Sequence, residues 1–129
     1  MYEIVFDGGS LGNPGLGYGS YEVTSGGDVL QRVERQEYGQ GVTNNQAEYR
    51  SLIGALAWLR QHLGDNASGA TVVVNGDSQL VLNQVRGTWK VKNEGLRPFH
   101  SQARELANQF GNVTFTWHDR SNSVRRLGH

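Results

Sequence analysis

Residues Tyr2, Ile4 and Phe6 alternate with Glu3, Val5 and Asp7, and the run then meets Gly8-Gly9-Ser10-Leu11-Gly12-Asn13-Pro14-Gly15. Strict alternation commits the segment to a strand that buries one face. Glycines directly behind it let another backbone approach closely. The expectation is a strand that ends at Asp7 and delivers a carboxylate to the rim of a site. Two further acids stand in comparable settings: Glu48 in the first turn of an expected helix, and Asp77 at the tip of a second apolar strand. Three acids from three separate elements point to a metal site.

The remaining pattern says how those elements connect. Most glycines fall in turns, leaving well-patterned segments between them. A second strand is expected over Gly19 to Thr24, and Ser25-Gly26-Gly27-Asp28 makes a hairpin turn into a third over about Val29 to Tyr38. These three strands form an antiparallel meander. Thr43 or Asn44 caps a helix to about His62, on which Leu52, Ala55, Leu56, Leu59 and Leu63 recur at helical spacing. Glu48 lies one turn before Leu52 on that stripe. A β-branched run from Thr71 to Asn75 leads into Gly76-Asp77, a short helix covers Ser78 to Val85, a longer one Leu96 to Phe110, and a last strand Val113 to Trp117. The order β-β-β-α-β-α-α-β makes strands one, four and five parallel. The expected architecture is α/β, a mixed five-stranded sheet flanked by helices, with its ligand site at the carboxyl ends of the parallel strands. The length of 129 residues suits one domain, 1–129, with a single core.

Composition removes several classes of function. The chain has no cysteine, which excludes disulfides, cysteine-based zinc sites and thiol catalysis. Its apolar stretches are too short for a bilayer and Met1 leads straight into a strand, so a cytoplasmic monomer away from membranes is expected. Twelve basic residues balance twelve acidic ones, so a nucleic-acid partner must be attracted by local arrangement rather than net charge.

An acid on the buried side of a helix requires a partner, because an isolated buried charge is costly. Clustered carboxylates repel, which raises at least one pKa unless a divalent cation neutralises them. Oxygen ligands alone favour a hard ion, Mg2+ or Mn2+. Singly, each acid has a plain structural use, Glu48 and Asp77 at helix amino termini and Asp7 closing a turn. Their coincidence favours the metal site.

Asp7-Gly8-Gly9-Ser10 with Gly12-Asn13-Pro14-Gly15, Thr43-Asn44-Asn45-Gln46-Ala47-Glu48, Gly76-Asp77-Ser78-Gln79 and Trp89-Lys90-Val91-Lys92-Asn93 occur in that order. Together they closely resemble type 1 ribonuclease H, from Tyr2 to about Trp117. The resemblance implies the ribonuclease H fold and endonucleolytic cleavage of the RNA strand of RNA–DNA hybrids. It places Asp7, Glu48 and Asp77 on three of the family's four metal-binding acids. Two Mg2+ ions held there would drive in-line hydrolysis, leaving 5′-phosphate and 3′-hydroxyl ends. Asn44, Asn45 and Gln79 fall on positions that contact 2′-hydroxyls, for which short amides that both donate and accept are suited. Asn13 and Thr43 resemble a pocket for a DNA-strand phosphate. The family's basic protrusion is missing from the short Arg86–Asn93 segment, where Arg86, Lys90, Lys92 and Arg97 surround Trp89; Trp89 and Lys90 are the expected contacts to the hybrid backbone. No amino-terminal hybrid-binding domain is expected.

The carboxyl terminus differs from that family. Relatives continue into a helix carrying a fourth aspartate, whereas this chain reads Trp117-His118-Asp119-Arg120-Ser121-Asn122-Ser123-Val124-Arg125-Arg126-Leu127-Gly128-His129, which implies a truncated terminal helix. Arg125 or Arg126 aligns with the missing acid, and neither binds a cation. Asn122 is the best nearby substitute as the fourth ligand, Asp119 the only acid in the segment, and His118 a surface histidine at the strand end. An active nuclease is therefore set against a catalytically weak or inactive hybrid-binding module. Resolvase- and transposase-like enzymes of the same fold lack the Thr-Asn-Asn and Asp-Ser-Gln runs.

Overall fold

A computed structural model describes residues 1–128 as a mixed sheet with helices on both faces. The strands are β1 (Tyr2–Leu11), β2 (Gly15–Ser25), β3 (Asp28–Val42), β4 (Thr71–Gly76) and β5 (Asn112–Trp117). The helices are α1 (Asn44–Leu63), α2 (Gln79–Arg86), α3 (Arg97–Ala107) and α4 (Arg120–Leu127). Gly26 and Gly27 take φ of 58° and 87°, so Ser25 pairs directly with Asp28 across a two-residue turn that suits the twist of the flanking strands. The meander is as the sequence implies, but β1 does not stop at Asp7. It runs on to Leu11 because β2 begins at Gly15 and pairs with it as far as Leu11 opposite Leu16. The turn is Gly12-Asn13-Pro14, and Gly8 and Gly9 lie inside the strand.

Strand order is β3-β2-β1-β4-β5, with β1, β4 and β5 mutually parallel. The β1–β4 ladder ends where Val5 pairs with Asn75. Asp7 and Asp77 each lie two residues beyond that last pair, so the register itself sets them side by side. Ile4 and Phe6 of β1, Val23 of β2, and Val72 and Val74 of β4 pack with Tyr49, Leu52, Leu56 and Leu59 of α1 and with Val81, Leu82 and Val85 of α2. Each of these large side chains contributes roughly 1.5–3 kcal/mol on burial, enough together to fix α1 across β1.

Two helix boundaries differ from the sequence expectation. Leu96 ends a 3-10 turn, Glu94–Leu96, and α3 starts at Arg97 because Pro98, which has no amide hydrogen, fits only its first turn. It stops at Ala107, before the turn through Phe110 and Gly111. Past β5 the chain forms a short helix, α4, capped by Asp119 and ended by Gly128 at φ 81°. It lies against β1 and β2, yet only Ser123 and Leu127 of it are buried. An ionic cluster completes its attachment. Arg126 Nη2 lies 2.9 Å from Glu22 and 3.0 Å from Glu3, Arg32 Nη1 lies 2.7 Å from Glu22, and the same guanidinium donates to the Arg126 carbonyl.

Candidate metal centre

Thr43 caps α1 in a reciprocal box: its hydroxyl accepts from Gln46 N–H at 3.1 Å and Gln46 Oε1 accepts from Thr43 N–H at 3.0 Å. That cap fixes the first turn of α1 against β1, and Gly8 permits the contact. A Cβ at Gly8 would lie 2.5 Å from the Ala47 carbonyl and 2.6 Å from Glu48 N. Two amides tie the same helix end to the β1–β2 turn. Asn13 Oδ1 accepts from Asn44 N–H at 2.9 Å, and Asn44 Oδ1 accepts from Ser10 N–H at 2.7 Å.

With α1 so placed, Asp7, Glu48 and Asp77 bring one carboxylate oxygen each to within 4.8 Å of the others. Asp7 and Glu48 are buried and Asp77 is half-buried. Burial pushes the Glu48 carboxyl well above its ordinary range; the charges of Asp7 and Asp77 add to the rise, as does a hydrogen bond to Asp7, and the Gly8 N–H opposes it. Glu48 is thus a carboxyl whose proton is held strongly against its neighbours. Glu48 Oε2 and Asp77 Oδ2 are buried without a hydrogen-bond partner. Buried carboxylate oxygens left unpaired beside like charges are the condition that a divalent cation relieves. The three acids thus fit a hard cation held by oxygen alone.

The other candidates sort into groups. Asn13, Thr43 and Asn44 gather at the α1 amino terminus, where the oxygens of all three already accept backbone hydrogens. Each amide therefore has its NH2 to offer a ligand. Asn45 is exposed on the first turn of α1, and Gln79 is exposed at the first residue of α2. Trp89 and Lys90 stand on the loop after α2, exposed, and line a cavity of about 530 Å3 with Gly87, Arg97 and His100. An added Cβ at Gly95 would lie 3.5 Å from Gln46 Nε2, so the far end of that loop reaches the α1 amino terminus.

The carboxyl-terminal candidates are engaged within their own segment rather than with the three acids. Asn122 Oδ1 accepts from Arg125 Nη2 at 2.8 Å, and the cavity that Asn122 lines with Glu3, Asn75, His118 and both arginines contains none of the three acids. Its oxygen is already engaged because Asp119 starts the helix and so sets Asn122 one turn before Arg125. Asp119 accepts from the amide and hydroxyl of Ser121, which hold its carboxyl below the usual range; it serves as a cap. His118 is half-buried, its Nε2 2.8 Å from Ser123 Oγ. Sequence reasoning missed Trp117, whose indole Nε1 donates to the Asp77 carbonyl at 3.0 Å. Its position at the end of the last parallel strand, opposite Gly76, was the available signal.

A mixed sheet whose parallel strands end in a knot of carboxylates defines the ribonuclease H-like class of domains. A family model described as reverse transcriptase-like matches residues 11–125. The chain is 40% identical over 122 residues to the bifunctional protein Rv2228c of Mycobacterium tuberculosis, covering 94% of this chain and 32% of that one, so it spans about a third of the length of the mycobacterial relatives it matches. RNase H1 of the archaeon Halobacterium salinarum superposes at TM-score 0.84 with 33% identity, over 98% of this chain and 92% of that one. LC11-RNase H1, solved in complex with RNA/DNA hybrid, superposes at 0.87 with 30% identity, over 98% and 93%. The chain belongs to the ribonuclease H family.

Proposed function

We propose that this chain is a divalent-metal-dependent endonuclease that hydrolyses the RNA strand of RNA–DNA hybrids. The observation that carries the reading is the convergence of Asp7, Glu48 and Asp77, with buried oxygens of Glu48 and Asp77 unpartnered. When bound, Mg2+ or Mn2+ ions supply the acidity that makes a water nucleophilic at neutral pH and the charge that stabilises a departing 3′ oxygen, consistent with 5′-phosphate products. The chain's own groups bind and orient. Asp7, Glu48 and Asp77 would hold the cations, whose charge offsets the repulsion among the three carboxylates. Asn44, Asn45 and Gln79 present amides to 2′-hydroxyls in the minor groove. Asn13 and Thr43 receive a phosphate of the DNA strand, and Trp89 and Lys90 contact the backbone further along. LC11-RNase H1, a structural relative, is described with the same kind of hybrid bound.

Labelled hybrid, duplex DNA, duplex RNA and single-stranded RNA are incubated with Mg2+ or Mn2+ and again with EDTA. Only the hybrid is cut, and EDTA abolishes it. Equal degradation of duplex RNA and hybrid would overturn the assignment. A second reading, a hybrid-binding module of weak or no activity, is favoured by Arg125 and Arg126 on α4 and by the engagement of Asn122 with Arg125. Binding without cleavage under both cations would establish it.

A further inference from the structure

Asp77 is the single residue between the end of β4 and Ser78, which caps α2 through its hydroxyl to Val81 N–H at 3.3 Å. The strand side of that junction is fixed twice over. His118 N–H donates to the Gly76 carbonyl at 2.9 Å, and Gly76 packs so closely on the Phe6 ring that an added Cβ would sit 2.6 Å from it. The helix side is fixed by the Leu82 N–H to the Ser78 carbonyl at 3.1 Å. What lies between is the Asp77 peptide, and its carbonyl receives the Trp117 indole N–H at 3.0 Å. Trp117 nevertheless leaves 47% of its surface in water. Half of the residue is packed and half is open to water, and the polar edge of the indole is the part turned to the Asp77 carbonyl.

We propose that Trp117 is a positioning residue for the cation site. By holding the Asp77 carbonyl, its indole N–H sets the angle at which the Asp77 carboxylate meets those of Asp7 and Glu48, and so raises the cluster's affinity for a divalent cation. The proposal rests on reading the three acids as a cation site. Partners of this kind, one bond removed from a ligand, fix its orientation, and their loss weakens metal affinity about 10–100-fold.

Trp117→Phe keeps the ring and removes the donor. Mn2+ binding to each protein is measured by titration calorimetry without substrate, at a temperature where circular dichroism shows both folded. The variant binds Mn2+ about tenfold more weakly, its Tm in EDTA stays close to that of the unsubstituted chain, and on hybrid kcat falls while KM holds. Equal Mn2+ affinity in the two proteins overturns the role. So does a pattern in which Trp117→Phe binds cation normally while Trp117→Leu raises KM for hybrid, which makes the ring a stacking surface instead. Failure of the wider reading is seen separately: unsubstituted protein that binds Mn2+ but cuts no hybrid refutes the nuclease proposal while calorimetry still decides the role of Trp117, and unsubstituted protein that binds no Mn2+ overturns both.

Discussion

At Glu48 the chemistry of one residue becomes measurable without substrate. Its pKa is raised in the folded chain above the ordinary value of 4.5, so the folded state keeps a proton that the unfolded state has released. Below about pH 4.5 both states are protonated and Glu48 does not oppose folding; as pH rises from there through the elevated folded value, stability falls. In EDTA, therefore, the protein has a Tm that declines toward neutral pH, and Glu48→Gln flattens that decline. Thermal melts across pH 4.5–8 in both proteins check this; parallel profiles would remove Glu48 as its source. Mn2+ restores stability at neutral pH in the unsubstituted chain more than in the variant. Asp77→Asn keeps shape and removes one negative ligand, so cleavage drops about a hundredfold or more, the scale of losing one fixed charge-stabilising group, while hybrid affinity in EDTA is retained. Near-normal turnover would exclude Asp77. Asp119→Ala lowers Tm slightly through the lost cap and leaves cation affinity unchanged. The three carboxylates were legible in the sequence because each stands at an element end whose apolar pattern is strong. Asn122 was not: its alternative partner, Arg125, is set by where α4 begins, and no apolar stripe marks that boundary.

Among the elements, the pairing of α1 with β1 matters most, since it alone brings Glu48 to Asp7. Gly8 is the point of contact. Gly8→Ala places a Cβ against the Ala47 and Glu48 backbone, which must retreat; the substitution costs about 1–3 kcal/mol of stability and weakens Mn2+ binding as well. Chemical denaturation and cation titration on the same variant test whether the two losses occur together; lost stability with intact cation affinity would mean that α1 shifts without moving Glu48. The sequence made the order of strands and the three principal helices readable through periodicity and turn residues. It misplaced the end of β1 because a run of glycines looks like a turn when the partner strand is unknown, and it set α3 too long because the leucine and phenylalanine at its flanks, Leu96 and Phe110, are buried outside the helix.

Across the whole molecule, charge is balanced, so attraction for a polyanion rests on local groups, which on the proposed reading are Arg86, Lys90, Lys92 and Arg97 around the Trp89 loop. Four phosphate contacts at most give a log–log salt slope of about −3 to −4, so hybrid affinity in EDTA falls about a hundredfold between 50 and 200 mM salt. Fluorescence anisotropy with labelled hybrid reads this, and Lys90→Ala reduces the slope by about one; a slope unchanged by that substitution would move the backbone contact elsewhere. The ionic attachment of α4 has a different outcome. None of the three acids is on that helix, and only Ser123 and Leu127 of it are buried. Its amides should therefore exchange with deuterium through a local opening that leaves the protection of β1, β4 and α1 unchanged. A segment that opens on its own can change its residues without scattering the carboxylates. The stretch that differs from the ribonuclease H pattern is thus one that carries none of the three clustered acids.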